Sequence, residues 1–345
     1  MKVLLRADGN ATIGMGHVMR CLSLGSAVVE AGGTAWLLSN RRDPALVQRA
    51  AGLGVQVVEA DPVPTGSAAD ADRTLRQAAE LDASWVVADG YDLGSAFQER
   101  LVAGGVWLLS LDDRSRAGPH HAHLVLDQSI DASPSHYPDR AARTRLLLGS
   151  RYVLLRPAFR GGDFETSSIP PRASRILVTM GGADPVDATS RIADVLAEID
   201  DPELRAVLLM GPANPRRAAL AARIQDPRLE VRGPVQAMIP LLEWADLAIA
   251  AAGSTTWELC RVGVPTLLVV LADNQEPVAR GVAAHGAAVN LGRHDALRAG
   301  SLAASIEALR ADPEARGSLS AAGRALVDGG GAERVLEAML EVGGG

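Results

Sequence analysis

The chain has 345 residues, of which 48% are hydrophobic and 22% are charged, and its formal net charge is −7. This length suits two domains of ordinary size. The negative charge disfavours nucleic acid and anionic membranes as partners, and no apolar run reaches the length of a membrane span. The only cysteines, Cys21 and Cys260, fit a reducing compartment, so we expect a cytoplasmic protein without disulfides.

In the first half of the chain, short apolar runs alternate with helical periodicity. A helix is predicted over 18–32 and a loop over 61–72. The predicted strands are 2–6, 34–39, 55–60, 85–90, 106–113 and 124–128. Strands that alternate with helices indicate βαβ units and a mostly parallel sheet.

The same alternation restarts in the second half. The predicted strands are 175–182, 206–211, 229–233, 246–253 and 266–272, with a helix over 187–199. We therefore predict an α/β chain with two Rossmann-like domains whose parallel sheets face a cleft. The predicted boundaries are 1–156 for the first domain, 157–174 for a linker rich in Gly, Pro and Ser, and 175–345 for the second domain. A final helix over 332–340 could pack on either domain.

A glycine-rich turn, RADGNATIGMGH (6–17), joins the first strand to the first helix. Such a turn leaves backbone N–H groups unpaired, which suits an anion. Its glycines, Gly9, Gly14 and Gly16, do not have the spacing of a dinucleotide site. The turn either holds an anionic ligand or simply connects the two elements.

His17 lies in the first turn of that helix, where the helix dipole disfavours the protonated ring. A neutral imidazole can take a proton from water or a hydroxyl. Asp8, at the end of the preceding strand, could orient His17 or contact a sugar hydroxyl. The alternative is that His17 only closes the turn by local hydrogen bonds.

A second glycine turn, AAAGSTTWELC (250–260), again leads from a strand into a helix. Thr255 and Glu258 have the spacing of a capping box. Gly253, Ser254 and Thr255 also expose groups suited to a diphosphate, and Glu258 could reach a ribose diol. Asp273, Asn274 and Gln275 follow the next strand, where such folds bind ligands.

Other polar clusters receive structural interpretations. His120, His121 and His123 are read as a solvated loop, because no further metal-ligand cluster accompanies them. Asp70 and Asp72 are read as a surface or capping pair. Further acidic residues at strand ends are Asp89, Asp92, Asp112 and Asp113. These could bind sugar hydroxyls or only begin the next loops.

Taken in order, several stretches resemble the bacterial nucleotide-sugar hydrolases of pseudaminic acid biosynthesis. These hydrolases belong to a wider spore-coat polysaccharide protein family, related in fold to the glycosyltransferase that makes lipid II. The matching stretches are 6–25, 89–93, 111–113, 149–159, 178–185, 211–214, 248–275 and 328–335. They cover nearly the whole chain.

The resemblance implies a GT-B fold in which the second domain binds UDP and the first binds the sugar. The residues it implies for UDP are Gly181, Gly182, Val235, Met238, Gly253, Ser254, Thr255 and Glu258. The residues on the sugar side are Arg6, Asp8, Gly14, Gly16, Tyr91, Asn274 and Gln275. His17 matches the catalytic histidine, which activates water against the anomeric carbon.

The implied reaction is the hydrolysis of UDP-2,4-diacetamido-2,4,6-trideoxy-β-L-altropyranose with inversion, without a metal or another cofactor. The expected partner is this small UDP-sugar, and the expected state is a monomer. One alternative is a glycosyltransferase that uses a UDP-sugar and a soluble acceptor. Another is a non-catalytic nucleotide-sugar binder.

Overall fold

The computed structural model describes residues 1–9, 15–40, 44–113, 118–162, 164 and 169–344. The chain divides into two compact units. Unit 1 contains Met1–Arg160 together with Gly329–Gly345, and unit 2 contains Gly161–Asp328. Each unit is built around one parallel sheet, which agrees with the predicted pair of Rossmann-like domains. Every helix within the described ranges falls short of the length and apolarity that a bilayer span requires.

Unit 1 has a seven-stranded sheet in the order β3-β2-β1-β4-β5-β6-β7. Its strands are β1 (Lys2–Ala7), β2 (Thr34–Leu38), β3 (Gln56–Val57), β4 (Trp85–Asp89), β5 (Trp107–Leu111), β6 (Leu124–Asp127) and β7 (Arg145–Leu148). The helices between them are α1 (Gly16–Glu30), α2 (Pro44–Ala51), α3 (Ala68–Glu80) and α4 (Ser95–Ala103). The order reverses between β1 and β4, because the chain leaves these neighbours toward opposite edges of the sheet.

Unit 2 has a six-stranded sheet in the order β10-β9-β8-β11-β12-β13. Its strands are β8 (Arg175–Thr179), β9 (Arg205–Leu209), β10 (Leu229–Arg232), β11 (Leu247–Ala251), β12 (Thr266–Val270) and β13 (Val289–Arg293). Its helices are α5 (Ala188–Ala197), α6 (Arg217–Arg223), α7 (Ile239–Trp244), α8 (Thr255–Val262), α9 (Glu276–Ala284), α10 (Ala299–Ala311) and α11 (Pro313–Leu326). Here the order reverses between β8 and β11.

The central strands are buried along nearly their whole length and mostly apolar, because helices cover both faces of each sheet. In β1, Val3 and Leu5 join the core beneath α1, whereas Leu4 joins the core on the opposite face. Gly25 lets α1 approach this sheet closely, since a Cβ there would lie 2.7 Å from Leu5 Cδ1. The helix that carries His17 is therefore held tightly against β1.

The last helix, α12 (Gly331–Gly343), belongs to unit 1 and not to the second domain, which differs from the predicted boundary of 175–345. Its apolar face, with Val335 and Met339, is part of the unit 1 core. Gly331 allows α12 to begin close to the backbone of Val153, because a Cβ at residue 331 would lie 2.3 Å from the Val153 carbonyl oxygen. The first division between the units follows Arg160, which lies inside the predicted linker of 157–174.

Two local predictions also need correction. The predicted strand over 55–60 is reduced to the two-residue β3. The predicted loop over 61–72 ends earlier, because α3 begins at Ala68. Ser67 caps this helix by accepting a hydrogen bond from the Asp70 amide. The Asp70 side chain is fully buried and not on the surface, because it pairs with buried Arg6 and Arg73.

Candidate active site

The carboxyl ends of β1 and β4 form the topological switch point of unit 1, where α/β sheets of this type bind ligands. Ala7 and Asp89 are register partners at the ends of these two strands. Since α1 starts at Gly16, soon after β1, His17 in its first turn comes to lie beside the end of β4. The strand order thus brings together residues that are far apart in sequence.

His17 and Asp89 form a buried pair at this point. His17 is 7% exposed and Asp89 is fully buried, and 2.6 Å separates His17 Nδ1 from Asp89 Oδ1. We assign the proton to Nδ1, since a carboxylate can only accept. The other ring nitrogen, Nε2, is then unprotonated and able to accept a proton.

Arg20 lies three residues after His17 and therefore on the same face of α1. Its guanidinium donates to both oxygens of Asp89, from Nε to Oδ2 at 2.9 Å and from Nη2 to Oδ1 at 2.8 Å. It also donates from Nη1 to Asp113 Oδ1 at 2.9 Å. Arg20 Nη2 lies 3.1 Å from His17 Nδ1, and because both nitrogens are donors, we assign them a shared acceptor, Asp89 Oδ1.

Tyr91 and Asp113 complete this group of side chains. The Tyr91 hydroxyl donates to Asp113 Oδ2 at 3.0 Å, and the Tyr91 ring meets the His17 ring edge-on, with centroids 4.9 Å apart. Burial acts to raise the pKa of Asp113, but the charge and hydrogen bonds of Arg20 outweigh it and lower that pKa. Tyr91 is 42% exposed, so the predicted sugar-side residue Tyr91 lies beside His17 at an accessible surface.

Asp8 does not have the predicted orienting role, because Asp89 is the carboxylate that orients His17. Asp8 instead accepts hydrogen bonds from Arg6 at 2.7 Å, from the Asn40 amide at 2.7 Å and from the Thr65 hydroxyl at 2.8 Å. Burial acts to raise the pKa of Asp8, but these donors and the Arg6 charge lower it to about 2.

The structure also corrects the prediction that Arg6 lies where it can reach a substrate. The Arg6 side chain is fully buried and donates to Asp70 and Asp8, which gives it a supporting position below the strand ends. Gly16, at the start of α1, has open space where a Cβ would lie. Gly14 lies outside the described residues.

A second switch point lies in unit 2, at the carboxyl ends of β8 and β11. Gly181 and Gly182 follow β8, and Gly253 and Ser254 follow β11. A Cβ added at any of the three glycines would meet no atom within 4 Å. The predicted UDP residues of these two turns therefore lie around adjacent strand ends with open space above the backbone.

The predicted capping box is not formed at the start of α8. Ser254, not Thr255, occupies the N-cap position, and its side chain makes no capping hydrogen bond. The first helical amides bond to backbone instead, Thr256 N to Gly253 O at 3.1 Å and Trp257 N to Ser254 O at 3.2 Å. A tight backbone turn thus supplies the acceptors that a capping side chain would have provided.

The remaining predicted site residues of unit 2 have different surroundings. Asn274 is exposed in the short helical turn Asp273–Gln275, whereas Gln275 Oε1 accepts from the Leu271 amide at 2.9 Å and supports that turn. Val235 is 37% exposed, and Met238 is 9% exposed at the N-cap position of α7. Among the predicted sites, Asn274 and Val235 are therefore accessible, and Gln275 and Met238 are largely structural.

Two features of the site differ from what the sequence predicts. Arg20 has no predicted role, although its spacing of three residues from His17 places both on one face of a helix. His120, which is predicted to be solvated, is 1% exposed, with Nε2 3.1 Å from Asp112 Oδ2. Among the described residues, no three or more His, Cys, Asp or Glu side chains form a group that could hold a metal ion.

Comparison with protein families gives a match in the second half of the chain. Residues 175–328 match the glycosyltransferase family 28 C-terminal domain. The spore coat polysaccharide biosynthesis protein SpsG of Bacillus subtilis (strain 168) is 32% identical over 203 residues, which is 58% of this chain and 59% of that protein.

A further relative is the UDP-N-acetylglucosamine--N-acetylmuramyl-(pentapeptide) pyrophosphoryl-undecaprenol N-acetylglucosamine transferase of Xanthomonas euvesicatoria pv. vesicatoria (strain 85-10). It is 29% identical over 194 residues, which is 52% of this chain and 45% of that protein. The aligned regions thus span only about half of these two relatives' lengths.

Solved structures are similar over nearly the whole chain. Acinetobacter baumannii MurG superposes with a TM-score of 0.70 at 17% identity, covering 99% of both chains. The spinosyn rhamnosyltransferase SpnG complexed with thymidine diphosphate superposes with a TM-score of 0.61 at 20% identity, covering 98% of this chain and all of that one. These comparisons confirm the predicted GT-B fold, and they favour the glycosyltransferase alternative over the hydrolase. The chain therefore has a GT-B fold, and its residues 175–328, within unit 2, match the glycosyltransferase family 28 C-terminal domain.

Proposed function

We propose that the chain transfers a glycosyl group from a UDP-sugar to a hydroxyl of a soluble acceptor, with His17 as the general base. The observation that carries this proposal is the 2.6 Å contact between His17 Nδ1 and buried Asp89, which leaves Nε2 to accept a proton. The match to a glycosyltransferase domain over 175–328 supports the choice of reaction.

In this reaction, the acceptor oxygen attacks the anomeric carbon as His17 Nε2 takes its proton. The bond from the anomeric carbon to the phosphate oxygen breaks, and UDP leaves with the electron pair. Asp89 stabilises the imidazolium that forms, as a buried carboxylate does in other histidine-dependent enzymes. A single displacement of this kind inverts the anomeric configuration.

The leaving group is assigned to unit 2. The open turn after β8 offers backbone amides at Gly181 and Gly182, and the open turn after β11 leads into α8, whose start adds the positive end of a helix dipole. These groups would meet the charge that develops on the diphosphate. Since the backbone supplies this stabilisation, we expect a chelator to leave turnover unchanged.

A second candidate is hydrolysis of the UDP-sugar, in which water takes the place of the acceptor hydroxyl. The ordered resemblance to pseudaminic acid pathway hydrolases favours it, because the stretch 6–25 includes both His17 and Arg20. On this hypothesis the substrate is a UDP-linked diacetamido-trideoxy sugar of nonulosonic acid or surface polysaccharide synthesis. The base would act on either nucleophile, so the two candidates differ only in what occupies the acceptor position.

The test is UDP release from a panel of UDP-sugars, with and without a panel of hydroxyl acceptors. Release that requires an acceptor supports the transferase, and equal release in water alone supports the hydrolase. His17→Ala should abolish release while UDP still binds. The matched control is His285→Ala, which removes an exposed histidine of unit 2 and should behave as wild type. Tight UDP binding without turnover of any UDP-sugar would leave only the non-catalytic binder.

A further inference from the structure

We propose that Arg20 is the positioning residue of the His17–Asp89 pair and that Asp113 is the second anchor of Arg20. This inference rests on the proposed function, since it names the residue that holds the base ready. The sequence predicts no role for Arg20, and it leaves Asp113 as a residue that could bind a sugar hydroxyl or only begin a loop.

The geometry shows how Arg20 fixes the pair. Asp89 is fully buried, and each of its oxygens accepts from the planar guanidinium, a two-point contact that fixes the carboxylate's orientation as well as its position. Asp89 Oδ1 is thereby aimed at His17 Nδ1. The Arg20 side chain is 15% exposed, so water screens these contacts only weakly.

Arg20 also balances charge at the site. Asp89 ends β4 and Asp113 lies two residues after β5, so two carboxylates lie beside adjacent strand ends, where they would repel each other without a shared cation. Within the described part of the chain, the groups that face His17 are Arg20 from α1, Asp89 and Tyr91 at the end of β4, and Asp113 after β5. With Arg20 present these groups carry one net negative charge, and without it they carry two.

Removing the Arg20 charge, which lies 3.1 Å from His17 Nδ1, would favour the imidazolium, whereas removing a carboxylate charge would disfavour it. By holding Asp89 Oδ1 against Nδ1, Arg20 fixes which nitrogen of the ring carries the proton. A lysine could supply the charge but not the two-point contact with Asp89.

Asp113 acts through Arg20. It accepts from Arg20 Nη1 at 2.9 Å and from the Tyr91 hydroxyl at 3.0 Å, and thus holds the far side of the guanidinium in place. If this is its role, Asp113→Asn should leave Arg20 less firmly held. The same substitution should have little further effect in a protein that already lacks Arg20.

The kinetic test uses Arg20→Gln, Arg20→Lys and Asp113→Asn in the full-length protein. We expect kcat to fall about 100-fold in Arg20→Gln and about tenfold in Asp113→Asn, with KM within threefold of wild type, because a base is misplaced in both. Arg20→Lys should recover part of the loss. The acidic limb of the pH–kcat profile should move to higher pH in Arg20→Gln, since lost positive charge favours ring protonation.

The double variant Arg20→Gln/Asp113→Asn should be no slower than Arg20→Gln alone. Losses that multiply, or a change confined to KM, would overturn the inference, because they would place Asp113 or Arg20 on the substrate itself. The matched control is Arg100→Gln, which breaks an exposed Arg–Asp pair of unit 1 with Asp72 and should leave both kcat and the pH profile unchanged.

A second measurement needs no substrate. Nitrogen-15 NMR of the histidine rings should show His17 protonated at Nδ1 in wild type and in Arg100→Gln, with both tautomers present in Arg20→Gln. Identical His17 spectra and pH midpoints in wild type and Arg20→Gln would overturn the inference. An enzyme that turns over no UDP-sugar but shows the expected spectra would refute the proposed function and leave the role of Arg20 standing.

If Arg20→Gln does not fold, Asp113→Asn decides the matter, because it leaves the Arg20–Asp89 contact in place. It should then show a smaller loss of kcat than expected for Arg20→Gln, and a smaller share of the second His17 tautomer. A wild-type spectrum together with a wild-type kcat in Asp113→Asn would contradict the anchoring role.

Discussion

The switch points of the two units have the same topology but opposite chemistry. In unit 1, charged side chains fill the space beside the strand ends, and His17, Arg20 and Asp89 contact one another there. In unit 2, the corresponding turns are glycines with open space above them. The first arrangement is suited to moving a proton, and the second leaves room for an anion beside the backbone. One fold, repeated in a single chain, thus provides two kinds of site through the side chains at its strand ends.

The largest expected effect separates two aspartates of unit 1 that lie at neighbouring strand ends. Asp89→Asn should lower kcat about 1,000-fold, because an amide cannot stabilise the imidazolium as a carboxylate does. Asp8→Asn, the matched control, should keep kcat within a few-fold of wild type, because Asp8 bonds to Arg6 and Thr65 and not to His17. Steady-state kinetics checks both, and equal losses in the two variants would contradict the assignment of Asp89.

The next effect tests the open turn of unit 2. Gly253→Val places a side chain into space that the protein leaves empty, so folding should be preserved and the ligand displaced. We expect the Kd for UDP to rise about tenfold or more, which corresponds to ~1.4 kcal/mol. Isothermal titration calorimetry measures this change.

The matched control for that turn is Gly300→Val. Gly300 also has open space around it but lies in α10, away from the ends of β8 and β11. UDP affinity that falls equally in both variants, or in neither, would remove the diphosphate from the turn after β11.

A smaller effect concerns the stability of unit 1 in acid. The pKa of Asp8 in the folded protein is about 2, below the ordinary value of about 3.9 for an unfolded chain. The ionised group therefore stabilises the fold above pH 4, and this contribution is lost as the pH falls toward 2. With solvent screening, we expect about 1 kcal/mol.

Denaturant unfolding of wild type and Asp8→Asn, measured between pH 2 and pH 6, checks this expectation. The stability difference between the two proteins should shrink as the pH falls. A difference that stays constant over this range would show that the charge of Asp8 contributes nothing.

The smallest effect distinguishes two helix starts. Ser67 caps α3 by accepting from the Asp70 amide, so Ser67→Ala should destabilise the protein by about 1 kcal/mol. Ser254 makes no capping hydrogen bond at α8, so Ser254→Ala should change stability by less than about 0.5 kcal/mol while weakening UDP binding. Thermal unfolding and calorimetry separate the two, and a large loss of stability in Ser254→Ala would restore a structural role for that turn.

The fold could be predicted from the sequence to a large extent because its signals are local. Apolar runs locate most of the strands, although not β7 and β13, and helical periodicity locates α1, α5 and α12 within a few residues. The exceptions depend on tertiary packing. The apolar face of α12 is visible in the sequence, but its position depends on which core has room for it, and Gly331 and Val335 fit that of unit 1.

The candidate site could be predicted only in part, for a similar reason. The turn before α1 identifies His17, because it is a local feature. Its partner, Asp89, is 72 residues away, and a nearer aspartate, Asp8, is an equally good candidate until the strand order is known. The contacts of Arg20 with both Asp89 and Asp113 depend on the positions of β4 and β5 together, which no spacing along the chain reveals.

The most direct test of the central claim, that unit 1 supplies the base and unit 2 holds the nucleotide, is made on His17→Ala. UDP affinity and the rate of UDP release from a turned-over UDP-sugar should be measured on the same preparation. The account predicts that the Kd for UDP stays within twofold of wild type while the rate of release falls at least 100-fold, the lower end of what a general base contributes. Release at the wild-type rate by His17→Ala would contradict it.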